Sequence, residues 1–522
     1  MNSGCGLQCA VMLCAMISRI SRLAACALLP ALAAAAEGPV LTPKPGAAPR
    51  INGPSVYGAR PGRPFLYRIP VTGERPLRFA AKGLPKSLSL DAATGIVSGM
   101  APPRKGEYAV TLRARNARGE ATKRFRIVVG DTLALTPPMG WNDWYTHYDR
   151  VTDALVRRAA SAMIASGMAD FGYQYVNIDD CWMVKPGDPD PDLGGEPRDA
   201  AGNMRPNRRF PDMQALTAFI HAQGLKAGIY TSPGPLTCAR FTGSYNHEEA
   251  DARQFAAWGF DFLKYDWCSY ERVAPGKTLA DRKLPYQKMG AILAGLDRDV
   301  VFNLCQYGMS DVWTWAADVG GNCWRTTGDL GLEKDSRLPG FYSIAFQNAA
   351  HAADAGPGHW NDPDYILIGS VGNARNKDDP PKPTSLTADE QYSYMSLWSL
   401  MAAPLFFSGH MEYLDEFTLN VLSNAEVIEV DQDELGRQAR VVRRAENEFV
   451  LAKPLADGSL AVGLFNLGEA AARIAATWAE LGIQGGRRAR DLWRQTDIGT
   501  VNGQFAAEVP RHGVALARLY PR

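Results

Sequence analysis

The sequence predicts a multidomain protein built around a (β/α)8 TIM barrel, with a small β-sandwich before it and an antiparallel β domain after it. Three observations carry this. The chain has 522 residues, against roughly 100 to 200 for one domain. Residues 134 to about 436 repeat short apolar runs that end in polar residues and alternate with helical stretches, as parallel βα units do. The flanking segments alternate apolar and polar residues with period two between turns rich in Gly and Pro, as strands with one buried face do.

Residues 1–36 come first. Arg19 and Arg22 precede the apolar run Leu23 to Ala36, which ends in four alanines before Glu37-Gly38-Pro39, the pattern of a signal peptide. A run of about 14 residues is too short to span a bilayer, and nothing later offers 18 uninterrupted apolar residues. Translation starts at Met1 or at Met16, since the segment before Met16 is long for the region preceding the apolar run. Leu23-Ala24-Ala25-Cys26 has the form of a lipoprotein cleavage box, but the apolar run continues past Cys26. The expected product is therefore a soluble periplasmic or extracellular protein, with no membrane segment after signal removal.

Residues 37–50 (EGPVLTPKPGAAPR) have the Pro, Gly and Ala content of a linker. In 51–130, Tyr108, Val110, Leu112 and Ala114 alternate with polar residues, as do Phe125, Ile127 and Val129. That is a small β-sandwich, and LPKSLSLDAATGIVSGMAPPRKGEYAVTLRARN within it resembles the immunoglobulin-like domains attached to many secreted bacterial enzymes.

The barrel is placed at 131–436. Its strand-like runs include Tyr175 to Ile178 before Asp179-Asp180, Leu225 to Tyr230 before Thr231, Phe262 to Tyr265 before Asp266, and Val300 to Leu304 before Cys305. No GxGxxG or GxxxxGK[ST] motif follows an early strand, so a doubly wound nucleotide-binding sheet is disfavoured. From 437 to 522 the strand pattern returns at Phe449 to Leu451, Leu460 to Phe465 and Val514 to Leu519. This reads as an antiparallel β domain without chemistry of its own.

Composition narrows the function. The 56 Lys and Arg nearly cancel 55 Asp and Glu, so a nucleic-acid partner is not expected. Of nine cysteines, Cys5, Cys9, Cys14 and Cys26 fall in the signal and five remain. An odd number leaves at least one free thiol, and no CxxC spacing among the five suggests zinc.

The strand ends carry the chemistry. Lys264 and Asp266, at i and i+2, share a face at one strand end, and the lysine favours an ionised carboxylate. Arg325 and Asp329 in WRTTGD supply a second carboxylate with a cation, Asp179-Asp180 close another strand, and Asp362 and Asp364 form a further i, i+2 pair. A calcium or magnesium site is the other reading of such acids, but the interleaved Lys and Arg oppose it. Two carboxylates with flanking cations and Trp residues in an exported barrel suit retaining glycoside hydrolysis, in which one carboxylate attacks the anomeric carbon and one carboxylic acid protonates the leaving oxygen.

Seven stretches in order between Leu133 and Gly436 resemble glycoside hydrolase family 27, the α-galactosidases and α-N-acetylgalactosaminidases. They are LALTPPMGWNDW, YVNIDDCW, GLKAGIY, TCARFTGSYNHEEADARQFAAWGFDFLKYDWC, CWRTTGD, AGPGHWNDPD and MAAPLFFSG. The resemblance implies a catalytic barrel followed by an antiparallel β domain, with no metal and no cofactor. It implies Asp266 as nucleophile and Asp329 as general acid and base. Asp179 and Asp180 would hold O4 and O6 of the sugar, Lys264 and Arg325 the ring hydroxyls, with Asp364 in the same pocket and Trp144 and Tyr230 as walls. It further implies disulfides Cys238–Cys268 and Cys305–Cys323, with Cys181 free. Two segments depart from the family: Thr231-Ser232-Pro233-Gly234, and Cys305-Gln306-Tyr307-Gly308 in place of a Cys-Glu-Trp sequence that recognises the C2 substituent. The expected protein is a secreted retaining α-galactosidase acting on galactosyl oligosaccharides or polysaccharides. β-L-Arabinopyranosidase and α-N-acetylgalactosaminidase are the alternatives on this scaffold, and a catalytically inert carbohydrate-binding protein is the remote one.

Overall fold

Eight parallel strands form the central sheet: β1 Met139–Asn142, β2 Tyr175–Asn177, β3 Lys226–Thr231, β4 Phe262–Asp266, β5 Val301–Cys305, β6 Cys323–Arg325, β7 Trp360–Asp362 and β8 Leu405–Phe407. They pair in the order β7-β6-β5-β4-β3-β2-β1-β8. Ile366, just past β7, bridges in parallel to Phe407 and closes the barrel. The structure is a computed structural model and describes residues 39–330, 337–372 and 381–522. The expected signal at 1–36 and its four cysteines lie outside these residues. Among the described residues no helix is long and apolar enough to cross a membrane.

Register explains how the barrel builds a floor and a mouth, because residues paired across parallel strands share a face. Phe262 pairs with Val301, Lys264 with Asn303 and Asp266 with Cys305. The first pair joins Tyr175 and Phe406 in an apolar cluster, and the next two lift polar groups above it towards the carboxyl ends of the strands. The strands run a residue past the apolar stretches at Asp266 and Cys305, since the ladder bonds backbone regardless of side-chain polarity. The strand–helix repeat lapses once: between β5 and β6 the described chain makes only the 3-10 turns Val312–Thr314 and Ala317–Val319.

Helix Ala388–Leu400 couples the barrel to the carboxyl-terminal domain. Thr387 and Glu390 make a capping box at its start, the S/T-x-x-E signal for a helix amino terminus. From Glu390 to Leu400 every residue is buried, and two of its three serines find partners: Ser393 donates to the His512 carbonyl at 2.8 Å, Ser396 donates to the Tyr392 carbonyl at 2.7 Å, and Trp493 Nε1 donates to Ser396 Oγ at 2.9 Å, while Ser399 Oγ has none. The domain's six-stranded sheet turns Phe449, Leu451 and Phe465 into the barrel core and Val450, Val462 and Leu464 into its own core with Ile474 and Phe505.

The amino-terminal sandwich packs the expected alternating residues, with Val110, Leu112, Ala114, Phe125, Ile127 and Val129 all buried. It rests on the amino-terminal face of the barrel. Arg60 donates through Nε to Asp299 Oδ1 at 2.6 Å and through Nη1 to the carbonyls of Leu293 and Ala294, and its Nη2 reaches the carbonyls of Leu296 and Arg298. Leu293, Ala294 and the cap residue Leu296 end helix Leu279–Gly295, whose last turn lacks internal donors and carries negative potential. Residues 39–50 do not hang free: the Leu41 amide donates to Tyr392 Oη at 3.0 Å and Thr42 exchanges hydrogen bonds with Asn420. Arg60→Ala is expected to cost about 2 to 3 kcal/mol, since it strands a largely buried carboxylate and several carbonyls. Thermal unfolding of the full chain checks this.

Candidate active site

Asp266 ends β4 at the centre of the mouth, 6% exposed. Tyr230 at the end of β3 donates to its Oδ2 at 3.1 Å, and Tyr307, after β5, donates to its Oδ1. Burial pushes the Asp266 carboxyl up to about 6; Lys264 and the Tyr307 hydrogen bond pull it down, and the charges of Asp179 and Asp329 raise it. Lys264 Nζ lies 2.8 Å from Asp179 Oδ2 and over the rings of Tyr230 and Tyr365. Burial works against the lysine's charge, but Asp179, Tyr365, Cys305 and Asp266 outweigh it and hold the ammonium well above its ordinary value.

The Asp179-Asp180 pair closes one side of the mouth, and both residues are buried. Asp179 Oδ2 accepts from Asn142 Nδ2 at 2.9 Å and from Tyr365 Oη at 3.1 Å as well as from Lys264. Asp180 accepts the Cys181 amide on Oδ1 and the Ala239 amide on Oδ2. Burial pushes its carboxyl up to about 7 against those two amides and Thr237. Asp180 thereby ties β2 to the loop of Cys238, whose disulfide with Cys268 spans a Cα separation of 4.9 Å.

Arg325 ends β6 opposite. Its Nη2 is 2.9 Å from Asp364 Oδ2 and 3.4 Å from Asp329 Oδ1. Its Nε is buried and has no protein partner. Asp329 is 51% exposed, the accessible carboxyl of the site. Trp144 is half-buried, with its ring 4.8 Å from that of Tyr148. Asp364 differs from its expected position as a pocket group. It is fully buried, and its Oδ2 accepts from Tyr145 Oη at 2.6 Å and from the Leu330 amide at 2.9 Å beside Arg325. It stands behind Arg325 and anchors the residue next to Asp329. Asp362 is likewise structural, accepting from Asn303 Nδ2 and the Asp364 amide.

The expected Cys305–Cys323 disulfide is absent. Cys305, Cys323 and Cys181 are all free and buried, so three thiols are free where one was expected. Cys323 pairs with Asn303, two residues short of Cys305. That offset along and across adjacent strands puts the Cα atoms about 8 Å apart, beyond the roughly 7 Å a disulfide can span. Cys305 Sγ instead lies 3.9 Å from Arg325 Nη1.

Sequence reasoning missed Tyr307, Tyr145, Tyr365, Asn142 and Asp143 as site residues. Asn142, Asp143 and Tyr365 follow strand ends and were available to the rule that polar residues there surround the site. Asp143 accepts the Asp179 amide at 2.7 Å, and burial, reinforced by Asp179, drives its carboxyl well above the usual range. Tyr307 follows a strand end too, in the segment Cys305-Gln306-Tyr307-Gly308 that departs from the family. Its backbone is left-handed, at φ 63°, a conformation that costs a non-glycine residue about 1 kcal/mol. Gly308 is left-handed too, and a Cβ there would sit 2.3 Å from the Thr326 carbonyl. This close turn aims the Tyr307 hydroxyl at Asp266. Tyr307→Phe removes a donor that stabilises the carboxylate, so the acid limb of kcat/KM should move upward from about pH 6 by about one pH unit. A pH–rate profile checks it; an unmoved limb would exclude the positioning role.

A family model described as Alpha galactosidase A matches residues 136–433. The chain belongs to that family, glycoside hydrolase family 27. A second model, the alpha galactosidase C-terminal beta sandwich domain, matches 449–519, and an Ig-domain model matches 48–130. Alpha-galactosidase 2 of Arabidopsis thaliana is 38% identical over 402 residues, 76% of this chain and 92% of that one. A solved structure of a candidate alpha-galactosidase/melibiase from Bacteroides fragilis is 34% identical, covers 92% of this chain and 99% of its own, and has a TM-score of 0.83. A β-L-arabinopyranosidase structure from Geobacillus stearothermophilus is 27% identical, with a TM-score of 0.65 over 74% of this chain and 98% of its own. This family 27 chain is a glycoside hydrolase.

Proposed function

We propose that this family 27 enzyme is an exported retaining α-galactosidase that removes terminal α-D-galactosyl groups by double displacement. One observation carries the reading: a buried carboxyl, Asp266, and an exposed one, Asp329, face one mouth, with cations beside both. In the first step an Asp266 oxygen bonds to the anomeric carbon as the bond to the leaving oxygen breaks, and Asp329 gives that oxygen its proton. In the second step Asp329 takes a proton from water, whose oxygen displaces Asp266 from the anomeric carbon and restores the carboxylate. Lys264 and the Tyr230 and Tyr307 hydroxyls spread the charge that returns to Asp266. Arg325 donates to a ring hydroxyl, and Asp179 and Asp180 accept from hydroxyls on the far side of the sugar, with Trp144 as a wall. Export is supported by the leader pattern and by the Cys238–Cys268 disulfide, a bond that persists in oxidising compartments.

One feature favours β-L-arabinopyranoside instead. Each oxygen of Asp180, one of the pair expected to hold O4 and O6, already accepts a backbone amide, which leaves it fewer lone pairs for a C6 hydroxyl, and arabinopyranose has no C6 hydroxyl. A panel of nitrophenyl glycosides followed by NMR decides. The expected result is preferential cleavage of the α-D-galactoside with α-galactose as the first-formed anomer. Preference for the arabinoside would replace the substrate assignment, and β-galactose appearing first would reject retention.

A further inference from the structure

We infer that the exposed face of the amino-terminal sandwich is a docking surface for an acidic polysaccharide, a polymer whose sugars carry carboxylates. The neutral whole-chain balance hides a segregation of charge. Residues 51–130 hold 15 Lys and Arg against 4 Asp and Glu, a net of +11, whereas residues 131–436 hold 24 against 42, a net of −18. Part of the sandwich's charge is spent on the barrel, where Arg60, Arg63, Arg75 and Arg126 pair with Asp299, Asp297, Asp170 and Glu434. Of the remaining eleven, Lys105 and Arg118 pair with Asp131 and Glu74, and five gather on one face of the sandwich.

Strands Arg78–Lys82, Gly106–Asn116 and Gly119–Val129 lie side by side. Arg78 pairs with Arg115, Ala80 with Arg113 and Lys82 with Thr111, while Thr111 pairs in turn with Arg124. Paired residues share a face, so Arg78, Lys82, Arg113, Arg115 and Arg124 project together, opposite the face that buries Phe79, Leu112 and Phe125. All five are exposed. Arg113 has an exposed pair with Glu120 at 3.3 Å; among the described residues the other four have no acidic partner. Like charges directly opposite each other, as Arg78 and Arg115 are, weaken a sheet, and the one acid in that row, Glu120 opposite Arg115, pairs with Arg113.

The chemistry of the face selects the partner. Between the cations lie Ala80, Ala109, Thr111 and Thr122, small residues that leave a flat shelf. Without aromatic rings the shelf cannot stack bases, and without large apolar side chains it cannot enter a bilayer. Guanidinium groups pair with carboxylates bidentately, and threonine hydroxyls can bond to sugar hydroxyls. Because the sandwich sits on the amino-terminal face of the barrel, a polymer held here leaves the mouth open. The inference does not depend on which sugar the mouth cleaves.

Co-sedimentation of the full chain with insoluble polygalacturonate tests it, alongside a Lys82→Glu/Arg115→Glu/Arg124→Glu variant whose unfolding midpoint is checked against wild type. Wild type should bind at about 20 mM salt and be released by about 0.5 M, where screening reaches a few ångström. The variant should bind at least about tenfold more weakly, since phosphate-type or carboxylate polyanions are held through neutralised charges, while Arg115→Lys/Arg124→Lys should retain binding. Equal binding by the Glu variant, equal binding to a neutral galactomannan, or tighter binding to DNA or to anionic phospholipid vesicles would overturn the assignment.

Discussion

Asp266→Asn is expected to lower kcat on a nitrophenyl α-galactoside by on the order of 10⁴-fold, since an amide cannot form the glycosyl ester, and to make the protein more stable at pH 7. The gain follows from linkage. The folded carboxyl, 6% exposed, is pushed up to about 6, above its value in the unfolded chain. Its contribution to stability is therefore complete below the unfolded pKa and is lost as pH rises through about 6. At pH 7 the buried charge costs up to about 3 kcal/mol, which the neutral amide does not incur. Thermal unfolding of both proteins at pH 4 and pH 7 checks the sign: the variant's advantage should appear at pH 7 and vanish at pH 4. Near-wild-type turnover would remove Asp266 from the nucleophile's role, and equal midpoints at pH 7 would show that Lys264 and the two tyrosines fully compensate its charge.

Asp364→Asn should have the second largest effect, although Asp364 lies behind the pocket. The Asp364–Arg325 pair has side chains 0% and 3% exposed. Burial raises the Asp364 carboxyl against the pull of Arg325, and Asp364 together with Cys305, Asp329 and Tyr145 outweighs burial to hold the guanidinium well above its ordinary value. Neutralising one partner leaves a buried cation and should cost about 3 to 5 kcal/mol. It also loosens the Leu330 amide and hence Asp329, so kcat should fall by about 100-fold. The double variant Asp364→Asn/Arg325→Met separates the effects: stability should largely return because no uncompensated charge remains, but activity should not. Additive losses in stability would show that the two side chains do not act as a pair.

The reach of the sequence varied with the kind of interaction. Asp266, Lys264, Asp179, Asp180, Arg325 and Asp329 were found because strand periodicity and strand-end position place side chains at the mouth by local geometry alone. Asp364 was found for the same reason, but its partners were not. Nothing local shows that Tyr145 and the Leu330 amide fill its oxygens, or that Trp398 Nε1, on the helix held by the carboxyl-terminal domain, donates to its carbonyl at 2.7 Å. That helix also links the His512 carbonyl of the terminal domain to the residue behind Arg325. The Cys305–Cys323 expectation failed on register, because a two-residue offset between adjacent strands is invisible in one sequence and decides whether two sulfurs can meet.

The sequence by itself determined the domain order, the barrel and the set of charged residues at its mouth, since alternation, strand-end polarity and the run of motifs are properties of neighbouring residues. Only the tertiary structure decided which carboxyl is buried and which exposed, that Tyr307 as well as Tyr230 holds Asp266, and that Arg60 locks the sandwich to a helix end. It also separated the cations of that sandwich into those that bind the barrel and those left facing solvent. Burial, hydrogen-bond partners and effective charge depend on residues brought together from distant parts of the chain. The desolvation that sets the protonation of Asp266 exists only once the barrel has closed around it.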